Sequence, residues 1–376
     1  MAGLGMNWNG RRVLITGHTG FKGSWLSLWL QQKGTELCGI ALNPPTEVNL
    51  FEDAHVQRGM HSVIADICDI PMVERVFQEH RPEIVFHLAA QPLVRNSYAD
   101  PIATYSTNVI GTASVLDAAR KTDSVRAVIV VTTDKCYENR EWEWPYRESD
   151  RLGGFDPYSS SKACAELVVS AYRNSFFNPA DYHRHGVAIA SVRAGNVIGG
   201  GDWAVDRLVP DIIRAFIEGR PVRIRNPRAI RPWQHVLEPL RGYIRVAEAL
   251  CESGVKSGEA WNFGPDQSDA QPVEWIVREL AESWGEGAKW EFEDTVQPHE
   301  AHTLKLDWSK ARSRLGWQPL LNLRDALAMT VDWYKLKLTN RDLREVTVGQ
   351  ILNYEDRCGK LPHAGSPRAG SGGVQA

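Results

Sequence analysis

Tyr158 and Lys162 stand four residues apart in Tyr158–Ser159–Ser160–Ser161–Lys162, inside a stretch whose apolar spacing predicts a helix over Pro157–Tyr172. Residues i and i+4 share a helical face, which brings the Lys162 ammonium near the Tyr158 phenol. A neighbouring cation favours phenolate and draws a tyrosine pKa from about 10 toward neutrality. Such a phenolate is a general base for an alcohol, for example a sugar hydroxyl. Two fixed positions recur by chance about once in a chain of this length at ordinary composition. The pair's place therefore counts for more than its existence. That place follows a second pattern, with Gly17, Gly20 and Gly23 spaced three apart. Backbone without Cβ atoms admits a pyrophosphate, and a helix N-terminus behind it offers free N–H groups and a positive dipole.

Both patterns need a scaffold, and the chain supplies a regular one. Arg12–Thr16 is a short β-branched run that opens into the glycines, Ser24–Lys33 has helical spacing, and Glu36–Leu42 returns to strand character. Strands are predicted again at Ile84–Leu88, Ala127–Thr132 and Val187–Val192, with long helices at Thr104–Arg120 and Pro157–Tyr172. Continuous apolar strands alternating with helices imply a parallel sheet covered on both faces. The fold class is α/β, a Rossmann-like doubly wound parallel sheet with a smaller C-terminal α/β substrate-binding region. Within that context the glycines predict dinucleotide binding. The acidic residue that ordinarily holds the adenosine ribose some 20 positions on is replaced by Asn43, followed by Pro44 and Pro45. An amide still bonds a hydroxyl, without charge assistance. No Arg stands nearby for a 2′-phosphate, so the expectation is NAD, loosely held.

Composition bounds the alternatives. The 376 residues are 43% hydrophobic and 24% charged, with 43 basic against 46 acidic side chains and a net charge of -3. A core can form, and nucleic-acid binding is not expected from so balanced a charge. No apolar run reaches membrane-spanning length, and Met1–Gly10 has no signal-peptide pattern. The six cysteines are scattered without a CxxC pair, as in a reduced, cytoplasmic protein. Trp25 and Trp29 on the first predicted helix read as packing residues. After Ala194 the texture changes to glycine-rich and then Arg/Pro-rich sequence, with helices expected at Val209–Glu218, Pro239–Cys251, Pro272–Trp284 and Leu323–Lys335. The expected organisation is a dinucleotide domain over 8–194 and a partly interleaved substrate region over 195–340. An extension over 341–376 follows, its Gly/Ser/Pro-rich end from Gly359 being disordered.

Taken together, GxxGxxG at Gly17–Gly23, Leu88–Ala89–Ala90–Gln91, Asn108, VVTTDKCY at Val130–Tyr137, YSSSK and VRAGNVIGGGDW resemble the extended short-chain dehydrogenase/reductase family over about residues 10–340. Within it the chain is most similar to the nucleotide-sugar 4,6-dehydratases, because Thr133 is followed by Asp134 and Lys135. Epimerase relatives lack the acidic neighbour. The dTDP-glucose enzymes carry Glu at the third position, whereas Lys occurs in the CDP-glucose group and in inverting UDP-N-acetylglucosamine dehydratases. The longer surroundings, such as GHTGFKGSWLSLWL and RPWQHVLEPLRGY, match the CDP-glucose group better.

The resemblance implies an NAD-dependent, redox-neutral removal of water from CDP-glucose, feeding deoxysugar synthesis such as that of lipopolysaccharide O-antigen. Its cofactor contacts fall on Gly17, Thr19, Gly20, Phe21, Lys22, Gly23, Asn43, Asp66, Ile67, Leu88, Ala89, Ala90, Gln91, Asn108, Tyr158 and Lys162. Oxidation at C4 is assigned to Tyr158 with Thr133 on O4; Lys135 is the base for H5 and Asp134 the acid for the leaving hydroxyl. Both roles meet a difficulty, since a lysine must be neutral to act as base and an adjacent ammonium opposes a protonated Asp134. The two could titrate as one coupled pair. Arg193, Asn196, Trp203, Arg207, Arg231, His235 and His299 fall where the nucleotide sugar is expected. Each has an ordinary alternative: glycine-rich connection, solvated arginine or structural histidine. A zinc site at His299–Glu300–Ala301–His302 is disfavoured by the three-residue spacing of its histidines. The resemblance also implies a homodimer through helices Thr104–Arg120 and Pro157–Tyr172. The nearest other reading is an inverting UDP-N-acetylglucosamine dehydratase, which shares Asp134 and Lys135. Further ones are an epimerase, which leaves those two without a task, and a silent dinucleotide-binding regulator, which has no use for a tuned phenol.

Overall fold

Seven short runs pair with one another, six of them largely apolar and buried and the seventh, His61–Ile64, partly exposed at the sheet edge. In a computed structural model, which describes residues 6–224, 226–292 and 304–360, they form a seven-stranded sheet. Its first six strands are β1 (Arg12–Thr16), β2 (Glu36–Ala41), β3 (His61–Ile64), β4 (Ile84–His87), β5 (Ala127–Val131) and β6 (Ala188–Ala194). Three short strands follow outside it: β7 (Asn196–Ile198), β8 (Val222–Ile224) and β9 (Ile230–His235). The seventh member is β10 (Ala260–Phe263), and the order is β10-β6-β5-β4-β1-β2-β3 with every pairing parallel. Parallel strands require crossovers, and helices cover both faces. The order reverses between β1 and β4, and ligands of such sheets bind in the crevice at that point. The glycine turn after β1 and the Leu88–Gln91 segment after β4 border it.

Ser191–Ala194 of β6 pair with Ala260–Phe263 of β10, so the second half of the chain completes the sheet of the first. The helix Leu237–Ser253 from that half packs on β5 and β6. The smaller region holds a three-stranded sheet of β7, β9 and β11 (Ala270–Pro272) and a pair formed by β8 and β12 (Trp290–Phe292).

The helix predicted from Thr104 begins at Pro101, with Asp100 accepting from the Ala103 N–H at 2.9 Å, and runs to Arg120. It widens into a π-type turn over Ser106–Ile110. Trp25 and Trp29 are buried, and the Trp25 indole donates to the Gly200 carbonyl at 2.9 Å.

Two of the longer helices, Ile70–His80 and Leu343–Gly359, were not expected. Leu343–Gly359 folds back onto the first helix, Phe21–Gln32, where Trp29 and Lys33 both bond Glu355 at 2.7 Å. Tyr354 donates to the fully buried Glu238 at 2.7 Å. Its buried face is Leu343, Thr347, Ile351 and Tyr354. Two of these four are polar types, so the apolar period that announces a helix is broken. The tail placed after Gly359 lies outside the described residues from 361 onward.

Candidate active site

The glycine turn is built for close approach. Gly17 has φ +78°, and a Cβ there would stand 2.7 Å from the Ala89 backbone nitrogen. Gly17→Ala therefore combines left-handed backbone with a clash against β4's exit segment. The expected cost is about 2 kcal/mol or more. Urea unfolding checks it, and an unchanged midpoint would mean that the turn has slack. Gly20 is different. A Cβ there meets only the Gly17 carbonyl, at 3.5 Å, so packing within the chain does not demand glycine. Gly20 is the N-cap of Phe21–Gln32, and no side chain caps that helix. An uncapped helix N-terminus with a bare backbone in front fits a pyrophosphate. The residues present therefore suit a dinucleotide. Thr19 donates to the Leu42 carbonyl at 2.8 Å, Asn43 is exposed at the end of β2, and Asp66 is exposed above buried Ile67. Phe21 and Lys22 open the helix. The half-buried Lys22 is drawn down to about 8 by burial, with Arg207 and Lys162 as further cations in reach.

Asn108 is buried, and its amide is committed to the protein. Its Oδ1 accepts from the Gln91 N–H at 2.8 Å, while Nδ2 donates to the Gln91 carbonyl at 3.1 Å and to Ser161 at 2.8 Å. It ties the Leu88–Ala89–Ala90–Gln91 segment to the helix Pro157–Ser175, which carries Tyr158 and Lys162. The π-type turn falls on Asn108 itself.

At the end of β5 the chain makes one 3-10 turn, Asp134–Cys136, capped by the Thr133 hydroxyl, which accepts from the Lys135 N–H at 3.3 Å. The same hydroxyl donates to Asp134 at 2.9 Å and shares a hydrogen bond with Tyr158. Thr133, Asp134, Tyr158 and Lys162 are thus gathered and buried at one spot, with Lys135 half-buried beside them. Burial raises the Asp134 carboxyl above its ordinary range, against the opposing pull of Lys135, the Thr133 hydrogen bond and Arg231. Desolvation thus works against the adjacent ammonium and favours the protonated carboxyl of Asp134.

The Tyr–Lys pair departs from expectation. Lys162 Nζ donates to the Val131 carbonyl at 3.2 Å, and burial lowers its pKa to about 8. Tyr158 is pushed up to about 12, by burial first; the Thr133 hydrogen bond and the Arg207 cation pull the other way. Desolvation of the phenol outweighs the i, i+4 lysine, and the cation that bears on Tyr158 is Arg207. Arg207 is itself anchored by the buried Asp202 at 2.9 Å.

The remaining positions are spread. Asn196 lies half-buried on β7, and Arg231, half-buried on β9, places its charge within reach of Asp134. Trp203 is partly buried and packs edge-on against Tyr334 of the core, with ring centroids 5.1 Å apart. His235 is fully buried against the edge of Trp25, and burial lowers its pKa to about 3. A neutral core imidazole offers no charge to a diphosphate. His299 lies outside the described residues. Arg193, expected beside the ligand, is instead buried in a pair with Glu166 at 2.8 Å. Neither Glu166 nor Asp202 was singled out in the sequence, although Glu166 stands four residues after Lys162 and so on its face.

Comparison with known proteins agrees with this geometry. The family model described as GDP-mannose 4,6 dehydratase matches residues 14–330. The CDP-glucose 4,6-dehydratase of Salmonella typhimurium is 55% identical over 347 residues, covering 92% of this chain and 97% of that protein. A dTDP-glucose 4,6-dehydratase of Xanthomonas campestris is 27% identical over 87% of this chain and 93% of its own. Among solved structures, the UDP-glucose 4-epimerase of Thermotoga maritima superposes with a TM-score of 0.75 at 24% identity, covering 87% of this chain and 99% of that one. It attests the fold alone. By the match over residues 14–330 and the relative at 55% identity, the chain belongs to the nucleotide-sugar 4,6-dehydratases that the GDP-mannose 4,6 dehydratase model describes.

Proposed function

We infer that this chain removes water from CDP-glucose to give CDP-4-keto-6-deoxyglucose, using NAD without net consumption. The observation that carries the inference is the 55% identity to a CDP-glucose 4,6-dehydratase across 92% of the chain. It is supported by the convergence of Thr133, Asp134 and Tyr158 on one hydrogen-bonded spot. NAD, held at the glycine turn, would supply the hydride acceptor for C4 and the hydride donor for C6. The chain's own groups handle the protons. Tyr158 takes the proton of the 4-hydroxyl, with Arg207 and the Thr133 hydrogen bond favouring its phenolate against burial. Thr133 hydrogen-bonds O4, and the resulting ketone makes H5 acidic. Lys135 removes H5, Asp134 protonates the departing 6-hydroxyl, and a proton returns to C5 as the hydride reaches C6. Gly17, Gly20 and Gly23 with the first-turn N–H groups hold the pyrophosphate of NAD. Lys162 serves the nicotinamide ribose, and Arg207 and Arg231 face the nucleotide sugar.

Ile102, Ile110 and Leu167 are exposed at 74%, 54% and 59% on the helices Pro101–Arg120 and Pro157–Ser175, which supports a homodimer packed through them. Among the described residues no helix is long and apolar enough to cross a membrane. We place the enzyme in the cytoplasm, with deoxysugar synthesis.

The test offers the purified protein CDP-glucose, UDP-glucose, dTDP-glucose, GDP-mannose and UDP-N-acetylglucosamine, each with and without added NAD. Mass spectrometry reads loss of one water. Loss from CDP-glucose alone is expected, with a strong dependence on added NAD because Asn43 holds the ribose without charge. Loss from another sugar keeps the mechanism and changes the substrate. No loss from any of them overturns the dehydratase reading.

A further inference from the structure

Glu166 is a buried carboxylate for which the proposed chemistry has no use. It sits one turn beyond Lys162 on the helix Pro157–Ser175 and makes four hydrogen bonds. Thr132 donates to it at 2.5 Å and Ser191 at 2.7 Å, while Arg193 makes two bonds, at 2.8 and 2.9 Å. Two of these partners lead to the reacting residues. Thr132 immediately precedes Thr133. Arg193 continues to the Tyr137 hydroxyl at 2.7 Å, with its guanidinium 4.9 Å from the Tyr137 ring centre, and Tyr137 closes the turn that bears Asp134 and Lys135. The same Tyr137 hydroxyl donates to Asn262 on β10, at 2.8 Å.

We propose that Glu166 is a positioning residue shared by both halves of the reaction. It clamps the Thr133–Tyr137 segment from both ends and lays a negative charge beside Lys162. The inference rests on the dehydratase reading for its activity assay, though not for its electrostatic part. The titratable groups facing Lys162 are Glu166 on its own helix, Cys136 on the turn, Lys22 on the first helix and His87 at the end of β4. Burial keeps the Cys136 thiol protonated and His87 neutral, and Lys22 is a cation. Among these described groups Glu166 is the anion, and it holds Lys162 up against a burial that lowers it to about 8.

Glu166→Gln keeps the shape and removes the charge. In the full-length protein labelled with 13Cε-lysine, the Lys162 signal, assigned by its loss in Lys162→Arg, is expected to titrate about one unit lower in Glu166→Gln. This readout needs no substrate, so it stands even if no sugar loses water. An unmoved Lys162 titration in a folded Glu166→Gln protein overturns the electrostatic part. The positioning part is read in Thr132→Val, which keeps every charge. Its kcat for water loss is expected to fall about tenfold or more with KM and the Lys162 titration unchanged. A wild-type kcat in Thr132→Val overturns the clamp. Should Glu166→Gln not fold, Glu166→Asp, which retains the charge on a shorter arm, is expected to lose kcat while leaving the Lys162 titration near its wild-type position. A wild-type kcat in Glu166→Asp overturns the clamp equally.

Discussion

Asp134→Asn and Lys135→Ala are each expected to stop water loss while leaving hydride transfer from the sugar intact. Reduced nicotinamide then accumulates in a single turnover instead of being reoxidised, and its absorbance is the measurement. The argument is geometric and electrostatic. Neither change removes Tyr158, Thr133 or Lys162, which serve the oxidation, and Asp134→Asn takes away an anion that raises the Tyr158 phenol. Asp134 is buried, and its carboxyl is raised by desolvation against the opposing pull of Lys135 and Arg231. Asn copies its shape, offers no acidic proton, and cannot assist a departing hydroxyl. Loss of a general acid or base costs about 10²- to 10⁴-fold. The raised carboxyl also fixes a sign. Asp134 holds its proton below its folded pKa, so elimination weakens as pH rises through that value. A wild-type dehydration rate in both variants would place the elimination chemistry elsewhere in the chain.

Acid should unfold this protein early, because three buried histidines are held neutral. His18, His87 and His235 are lowered from 6.5 to about 4, 3 and 3, in each case chiefly by burial. All three side chains are essentially inaccessible. A folded pKa below the unfolded one means that the unfolded chain binds protons the native state refuses. Stability is full above about pH 6.5 and is lost as pH falls toward about 4. Each histidine contributes a slope of about 1.4 kcal/mol per pH unit in that window. Together they give about 4 kcal/mol per unit, a large share of the 5–15 kcal/mol that stabilises an ordinary domain. Asp134 and Glu238, raised by burial, act in the opposite sense, so the slope and not the absolute stability is the quantity to compare. Urea unfolding at several pH values between 7.5 and 5 should show a steep fall, shallower by about a third in His235→Gln. Equal slopes in the two proteins would mean that His235 is protonated in the native state.

What could be read from sequence was what is local. β1 is Arg12–Thr16 in both views, the glycine turn follows it, and the helix from Pro157 carries Tyr158 and Lys162 as the spacing requires. What escaped depends on partners far apart in the chain. Asn108 looked like a cofactor contact, and only the fold shows its amide spent on Gln91 and Ser161. Arg193 looked like a ligand arginine until Glu166 was found opposite it. The Tyr158 pKa was expected to fall because spacing reveals a nearby lysine, whereas burial, which raises it, has no sequence period. The helix Leu343–Gly359 was hidden because Thr347 and Tyr354 occupy half of its buried face.

The late arrival of β10 bears on how the protein is made. A ribosome adds about 5–20 residues per second, and Ala260–Phe263 follow the end of β6 by roughly 70 residues. For several seconds the nascent chain therefore holds a buried-type strand with one edge unpaired, and such an edge recruits any extended segment nearby. Tyr137, one residue past the reacting turn, waits for the same strand, since its hydroxyl is anchored by Asn262. The gene thus cannot be shortened to its glycine-turn half, and the newborn enzyme is most vulnerable to aggregation just before its site becomes complete.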